Sequence, residues 1–185
     1  MPKSRLSDIL LAQNSNAYAL IDAAKMEELT TQLLIYEPLH CNLFVGQDVI
    51  ELEEVAPYLV ALHHNDAFTA WVMDEVYGND GAIFLHSTHD IDTLAAHFRK
   101  YLYVTREIPH PQTGKPVIQE GVLAFYDPRV LPAWLESIEA ETKTAFLSPL
   151  EMLYCEDALD KTLLQCYTPQ GSCKTLSLAQ EEQQA

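Results

Sequence analysis

At 185 residues, with 48% apolar side chains and a formal net charge of −16, the chain is long enough to bury a real core and too apolar to stay disordered. The acid surplus repels phosphate backbones, which argues against a nucleic-acid partner. No apolar run reaches the ~20 residues of a bilayer-crossing helix, so no membrane insertion is expected. Residues 6–12, broken by Ser7 and Asp8, do not read as a signal peptide despite Lys3 and Arg5.

In chain order, Leu6, Ile9 and Leu10 share one side of a short amphipathic helix, and residues 13–16 make a polar link. Residues 18–22, Tyr-Ala-Leu-Ile-Asp, form an apolar run ending in a carboxylate and predict a buried strand. Met26, Leu29, Leu33 and Tyr36 recur at helical steps, giving a surface helix stopped by Pro38. Residues 43–45, before Gly46, read as a short strand, and residues 57–62 as the next. Asn65 or Asp66 starts a helix carrying Phe68, Trp71, Val72 and Val76, closed by Gly78. After an Asn79-Asp80-Gly81 turn, residues 82–85 are again wholly apolar. Thr88 is the expected cap of a helix whose inner face is Ile91, Leu94, Ala95, Phe98 and Leu102. Asp90 and Asp92 near its start, with Arg99 and Lys100 near its end, suit the helix dipole.

Residues 101–104 leave that helix as a strand, and Val117-Ile118 returns beyond a Pro/Gly-rich loop, which predicts a hairpin. The chain is organised around residues 121–138. Residues 122–125 read as a buried strand, Asp127 as a helix cap and Pro128 as the first helical position. Val130, Leu131, Trp134, Leu135 and Ile138 recur at helical spacing, with Pro132 removing one early hydrogen bond. Arg129, beside Tyr126 and Asp127, can fork onto a carboxylate or a carbonyl. A short helix over residues 141–147 and strands over 152–154 and 163–167 follow. From Thr168 periodicity is lost, and a mobile tail is expected. The pattern predicts an α+β (mixed α/β) fold, with helices packed on a mixed β-sheet.

No glycine-rich phosphate loop, Gly-x-Ser-x-Gly elbow or His-Glu-x-x-His helix occurs. The four cysteines, Cys41, Cys155, Cys166 and Cys173, are scattered. They are expected as reduced thiols, though Cys155 and Cys166 can bridge if they lie on paired strands. His63, His64 and Asp66, with His86, His89 and Asp90, can converge at one sheet edge, where imidazoles and a carboxylate suit zinc or iron. The same residues equally suit strand ends and helix starts that reach solvent. Glu53-Glu54 reads as a solvated face. No enzyme activity and no cofactor are expected.

Taken together and in this order, Tyr18-Ala-Leu-Ile-Asp22, Pro57-Tyr-Leu-Val-Ala-Leu62, Gly81-Ala-Ile-Phe-Leu-His-Ser87, His97-Phe-Arg-Lys-Tyr-Leu102 and Phe125-Tyr-Asp-Pro-Arg-Val130 resemble a known family. It is the effector adaptor/chaperone domain of bacterial type VI secretion systems, formerly a domain of unknown function. The resemblance spans residues 15–155. It implies a cytoplasmic, non-catalytic adaptor that binds the N-terminal region of an effector toxin and helps load it onto the spike (VgrG-type) protein. It also implies an N-terminal α/β lobe over 17–127 and a smaller, mostly helical C-terminal lobe over 128–167, between the leader helix over residues 1–16 and the tail at 168–185 that the residues themselves suggest. Tyr126, Asp127, Arg129 and Trp134 near the lobe junction are the candidate partner-binding residues, with an amphipathic effector helix in a groove as the binding mode. Trp134 lies on the apolar helix face and also suits the core. His86 stands where the family pattern carries Arg or Lys, a Trp before the Gly81 run is missing, and nothing beyond Cys155 matches. The alternatives are a metal-dependent hydrolase using His63, His64, His86 and His89, and a structural secretion subunit that binds the spike alone.

Overall fold

Three unbroken apolar stretches set the centre of the structure, because a strand with no polar face must be covered on both sides. The computed structural model describes residues 2–12 and 15–179. The elements are α1 (Pro2–Leu11), β1 (Asn16–Asp22), α2 (Leu29–Tyr36), β2 (His40–Asn42), α3 (Asp48–Glu51) with a following 3-10 turn (Glu53–Val55), and β3 (Pro57–Leu62). Next come α4 (Ala67–Trp71), running into a π turn (Val72–Val76), then β4 (Ala82–Ser87), α5 (Ile91–Leu102), β5 (Tyr103–Pro109) and β6 (Pro116–Val122). The chain continues through α6 (Leu131–Ser137), α7 (Ala140–Leu147), β7 (Met152–Glu156), β8 (Leu163–Tyr167) and β9 (Cys173–Ser177).

Seven strands form one sheet in the order β2-β3-β1-β4-β7-β8-β9, while β5 and β6 make a separate hairpin. The α+β class read from the sequence is what the structure shows. Every pairing in the large sheet is antiparallel, and β7 to β9 continue the sheet begun by β1 to β4. Leu20 of β1 pairs with Leu59 on one side and Ile83 on the other. All residues of β3 and β4 are buried. The helices supply the cover in two groups. The first packs α1, α2 and α4 with its π turn, and the second packs α5 with α7. In the second group Phe98, Phe125, Phe146, Tyr101 and Trp134 interlock, with Trp134 and Phe146 rings edge-to-face at 4.8 Å and Tyr101 and Phe146 at 5.0 Å.

Several local expectations are corrected. Residues 122–125 are not a buried strand: β6 ends at Val122 with every residue exposed, and the chain then turns inward to bury Phe125 and Tyr126 without strand pairing. Asp127 does not cap a helix, since α6 begins at Leu131, and Pro132 falls in its first turn, where the missing donor costs nothing. The cap of α5 is Asp90, not Thr88: its extended backbone lets the carboxylate accept the Thr93 N–H at 2.8 Å. The strand expected at residues 43–45 sits earlier, at β2. The expected tail holds β9, paired with β8 from Tyr167↔Cys173 to Leu163↔Ser177. Residues 180–185 lie outside the described residues, as do Gln13 and Asn14 of the expected link. The four cysteines are free thiols, and Cys155 pairs in register with Gln165 rather than Cys166. Among the described residues, no helix is long and apolar enough to cross a membrane.

Candidate functional site

The turn after the hairpin collects charge at one end of the sheet. Phe125 is pinned in the aromatic cluster, which fixes the direction of the next four residues. The Val130 N–H donates to the Asp127 carbonyl at 2.9 Å, closing a tight turn. Inside it, Asp127 Oδ1 accepts the Arg129 backbone N–H at 2.8 Å, the local side-chain bond that Asp favours in turns. Arg129 then forks onto the same carboxylate, Nε to Oδ1 at 3.2 Å and Nη2 to Oδ2 at 3.0 Å. Lys25 Nζ reaches Oδ2 from the other side at 2.8 Å. Burial pushes the Asp127 carboxyl up, but the hydrogen bonds from Arg129 and Lys25 outweigh it and hold the group below the usual carboxylate range.

The network runs on across the sheet end. Lys25 Nζ also donates to the Asp80 carbonyl at 2.9 Å, and the Asp80 carboxylate pairs with Lys161 Nζ. Lys161 lies 3.6 Å from Glu156 Oε2, which accepts the Gly78 N–H at 3.0 Å. Glu156 is 1% exposed and its Oε1 completes no hydrogen bond of good geometry, although the neighbouring Asp80 N–H adds some favourable pull. Burial raises its pKa, against the pull of Lys161. Thus Arg129, Asp127, Lys25, Asp80, Lys161 and Glu156 alternate in sign and tie the end of β1, the turn before β4 and the end of β7. Asp22, closing β1, accepts the Ala24 N–H at 3.0 Å, and burial raises its pKa too.

The neighbouring titratable groups are pushed away from neutrality. Burial raises the Tyr77 hydroxyl to about 12 and lifts Tyr126 and Cys155 further, so all three stay protonated at pH 7. None of these three is thereby activated as a nucleophile or base at pH 7. Of the four candidate anchors, Tyr126 is 5% and Asp127 6% exposed. Trp134 is half-buried among Phe125, Tyr101 and Phe146. Arg129, with 56% of its side chain exposed, is the one that presents itself to solvent. It borders a shallow groove of about 460 Å³ with Pro132, Glu136, Lys143, Leu159 and Tyr167.

The histidines gather only in part. His63, His64 and Asp90 line one hollow of about 500 Å³ at the opposite sheet end. His86 is wholly buried, its Nε2 on the Leu10 carbonyl at 2.7 Å and its Nδ1 3.2 Å from the Tyr154 hydroxyl, and burial lowers its pKa. It is a neutral core residue at pH 7. His89 is exposed, and its carbonyl accepts the Tyr18 hydroxyl at 2.9 Å. Among the described residues, no group of three or more His, Cys, Asp or Glu side chains is placed to hold a metal ion.

Sequence reasoning found the Asp127–Arg129 pair because both partners lie in one turn. Lys25, Asp80, Lys161 and Glu156 escaped it, being brought together from positions as far apart as 25 and 161 with no local signal. A family model described as a domain of unknown function (DUF4123) matches residues 17–145. No curated protein and no solved structure matches the chain.

Proposed function

The chain belongs to the family described as a domain of unknown function (DUF4123), and from that premise we propose that it is a non-catalytic adaptor of a bacterial type VI secretion system. It binds the N-terminal region of an effector toxin in the cytoplasm and helps load it onto the spike protein. The observation that carries this reading is the family match over residues 17–145, which contains all five sequence segments that resemble the adaptor domain. The charged cluster is compatible with it: among the described residues, the buried carboxylates Asp127, Glu156 and Asp22 each meet a cation or a backbone donor. A binding module works through apolar anchors and exposed arginines, and the exposure of Arg129 at the groove rim supports its choice as such an anchor.

The test is a pull-down with the full chain as bait against the products of neighbouring genes. Capture of a spike protein together with a large effector is expected. Arg129→Ala should weaken effector capture while leaving the fold intact, because Lys25 still compensates Asp127. A folded bait that captures neither protein overturns the adaptor reading.

A further inference from the structure

Between Lys25 and Arg99 the sequence contains no Lys or Arg. It carries thirteen Asp and Glu there, and among the described residues only Asp80 of these thirteen is ion-paired, to Lys161. In its middle, residues 47–55 read Gln-Asp-Val-Ile-Glu-Leu-Glu-Glu-Val, apolar side chains set between acids. The structure makes two short helical turns of this stretch, α3 and the following 3-10 turn, and neither buries a residue. Ile50 is 82% exposed, and Val49, Leu52 and Val55 are exposed beside it. Four aliphatic side chains on a helical segment that the protein's own core does not use are an unpartnered face.

The face extends onto the hairpin. Tyr103, the first residue of β5, donates its hydroxyl to Asp48 Oδ2 at 3.2 Å, and its ring lies 6.3 Å from that of Phe44. Side chains alternate along a strand, so Tyr103, Thr105 and Glu107 share one side of the hairpin with their partners Val122, Glu120 and Ile118. That side repeats the composition of residues 47–55: exposed Tyr103, Val122 and Ile118 among carboxylates. The hairpin's arginine lies on the other side, where Arg106 Nε donates to Gln119 at 2.9 Å. The nearby Arg99 makes no ion pair with a carboxylate of this face among the described residues. Its guanidinium is spent on the Asn42 and Leu43 carbonyls, at 2.6 and 3.3 Å.

We propose that α3, the turn after it and the Tyr103 side of the hairpin form one docking face for a basic amphipathic helix of a partner protein. The occupant follows from charge. A second copy of the chain would set acid on acid, and phosphate-rich surfaces are repelled for the same reason. A helix with an apolar stripe flanked by Lys and Arg satisfies both halves of the face at once. Within the adaptor reading, on which this rests, that helix belongs to the cargo, and the face is separate from the Arg129 groove.

The probe is a synthetic helical peptide of Leu and Lys at amphipathic spacing, compared with a Leu/Glu peptide of the same pattern, titrated into the full chain by fluorescence anisotropy. The Lys peptide should bind and the Glu peptide should not. Ile50→Asp should weaken binding at least about ten-fold, as loss of a central apolar anchor does. The pair Glu51→Lys with Glu54→Lys should weaken it comparably, while the remote pair Glu139→Lys with Glu141→Lys should not. Binding that is equal for both peptides, or unchanged by Ile50→Asp, overturns the proposal. So does a concentration-dependent dimer that Ile50→Asp abolishes, which would make this a self-association face. The neighbouring-gene pull-down separates the two readings. Effector capture that survives Ile50→Asp sinks the face alone, whereas failure of the wild-type bait to capture any effector sinks the adaptor reading.

Discussion

β3 and β6 are both strands carrying apolar residues, yet every residue of β3 is buried and every residue of β6 is exposed. The difference lies in coverage as well as composition, for β6 interrupts its apolar residues with Gln119, Glu120 and Gly121. β3 sits between β2 and β1 with helices over the sheet, whereas β6 pairs with β5 alone. A two-stranded hairpin is marginal by itself in water. This one is held at its base, where the Leu123 N–H donates to the Leu102 carbonyl at 2.8 Å and Tyr103 leans on Phe44. Apolar residues in the sheet therefore hold the fold, and those of the hairpin and residues 47–55 remain available for a partner.

The sharpest way to break that comparison is to cut into the covered side. Phe98, wholly buried, stacks against both Phe125 and Phe146, at 5.8 and 5.7 Å. Phe98→Ala should cost about 3–5 kcal/mol, the transfer free energy of the ring plus the cavity it leaves. Urea denaturation of the purified variant measures this. A cost under about 1 kcal/mol would mean that the helical layer over this face is not part of the cooperative core.

The next effect tests whether the charged turn belongs to the core or to the surface. Asp127→Ala leaves Lys25 without its 2.8 Å partner and the Arg129 backbone N–H without its side-chain acceptor, and should cost about 2–3 kcal/mol. Arg129→Ala removes a largely solvated partner and should cost under about 1 kcal/mol. If the two variants melt alike, Asp127 is not the hub that the geometry makes it.

Much of the covered side was legible in the sequence. β1, β3 and β4 announced themselves as apolar runs too continuous for a half-exposed strand, and α5 by Ile91, Leu94, Phe98 and Leu102 at helical spacing. The same rule misled at residues 122–125, because an apolar run records burial and not backbone conformation: Phe125 is in the core, but on a turn. β9 was missed for the converse reason. Its Cys-Lys-Thr-Leu-Ser sequence lies at the sheet's edge, mostly exposed, where a strand needs no apolar pattern. Of the charged site, the Asp127–Arg129 half was readable from adjacency, while the Lys25 and Lys161 contacts exist only once β1, β4 and β7 lie side by side.

Two carboxylates in one network should respond to pH in opposite directions, and this sharpens the division between satisfied and strained burial. Asp127 has a lowered pKa, so its contribution is present above its ordinary value of 3.8 and is lost as the pH falls through the lower folded value. Glu156 has a raised pKa, so the folded chain holds its proton more tightly than the unfolded chain. Its contribution is greatest below its ordinary value of 4.5 and declines as the pH rises toward the folded value. Glu156→Gln should therefore flatten the stability profile on the alkaline side of 4.5 and leave the melting temperature at pH 7 unchanged or higher, since Lys161 keeps Asp80. Thermal melts from pH 3 to 8 read this directly. A large loss of stability at pH 7 would show that the ionised Glu156–Lys161 pair holds β7 in place.

The smallest effect is the one that most directly tests the exposed side. Ile118, 68% exposed on the free face of the hairpin, contributes little to folding if the chain is complete without a partner there. Ile118→Ser should change stability by no more than about 0.5 kcal/mol, the range of ordinary surface substitutions. Amide exchange should agree, with the β5 and β6 amides opening far more readily than those of β1, whose neighbours lie on both sides. The informative result is the pairing of two readouts. Unchanged stability with weakened binding of the Leu/Lys peptide assigns Ile118 to recognition. A stability loss approaching that of Phe98→Ala would mean that the hairpin is covered in the isolated chain, and the contrast between β3 and β6 would then reflect position in the sequence rather than exposure to solvent.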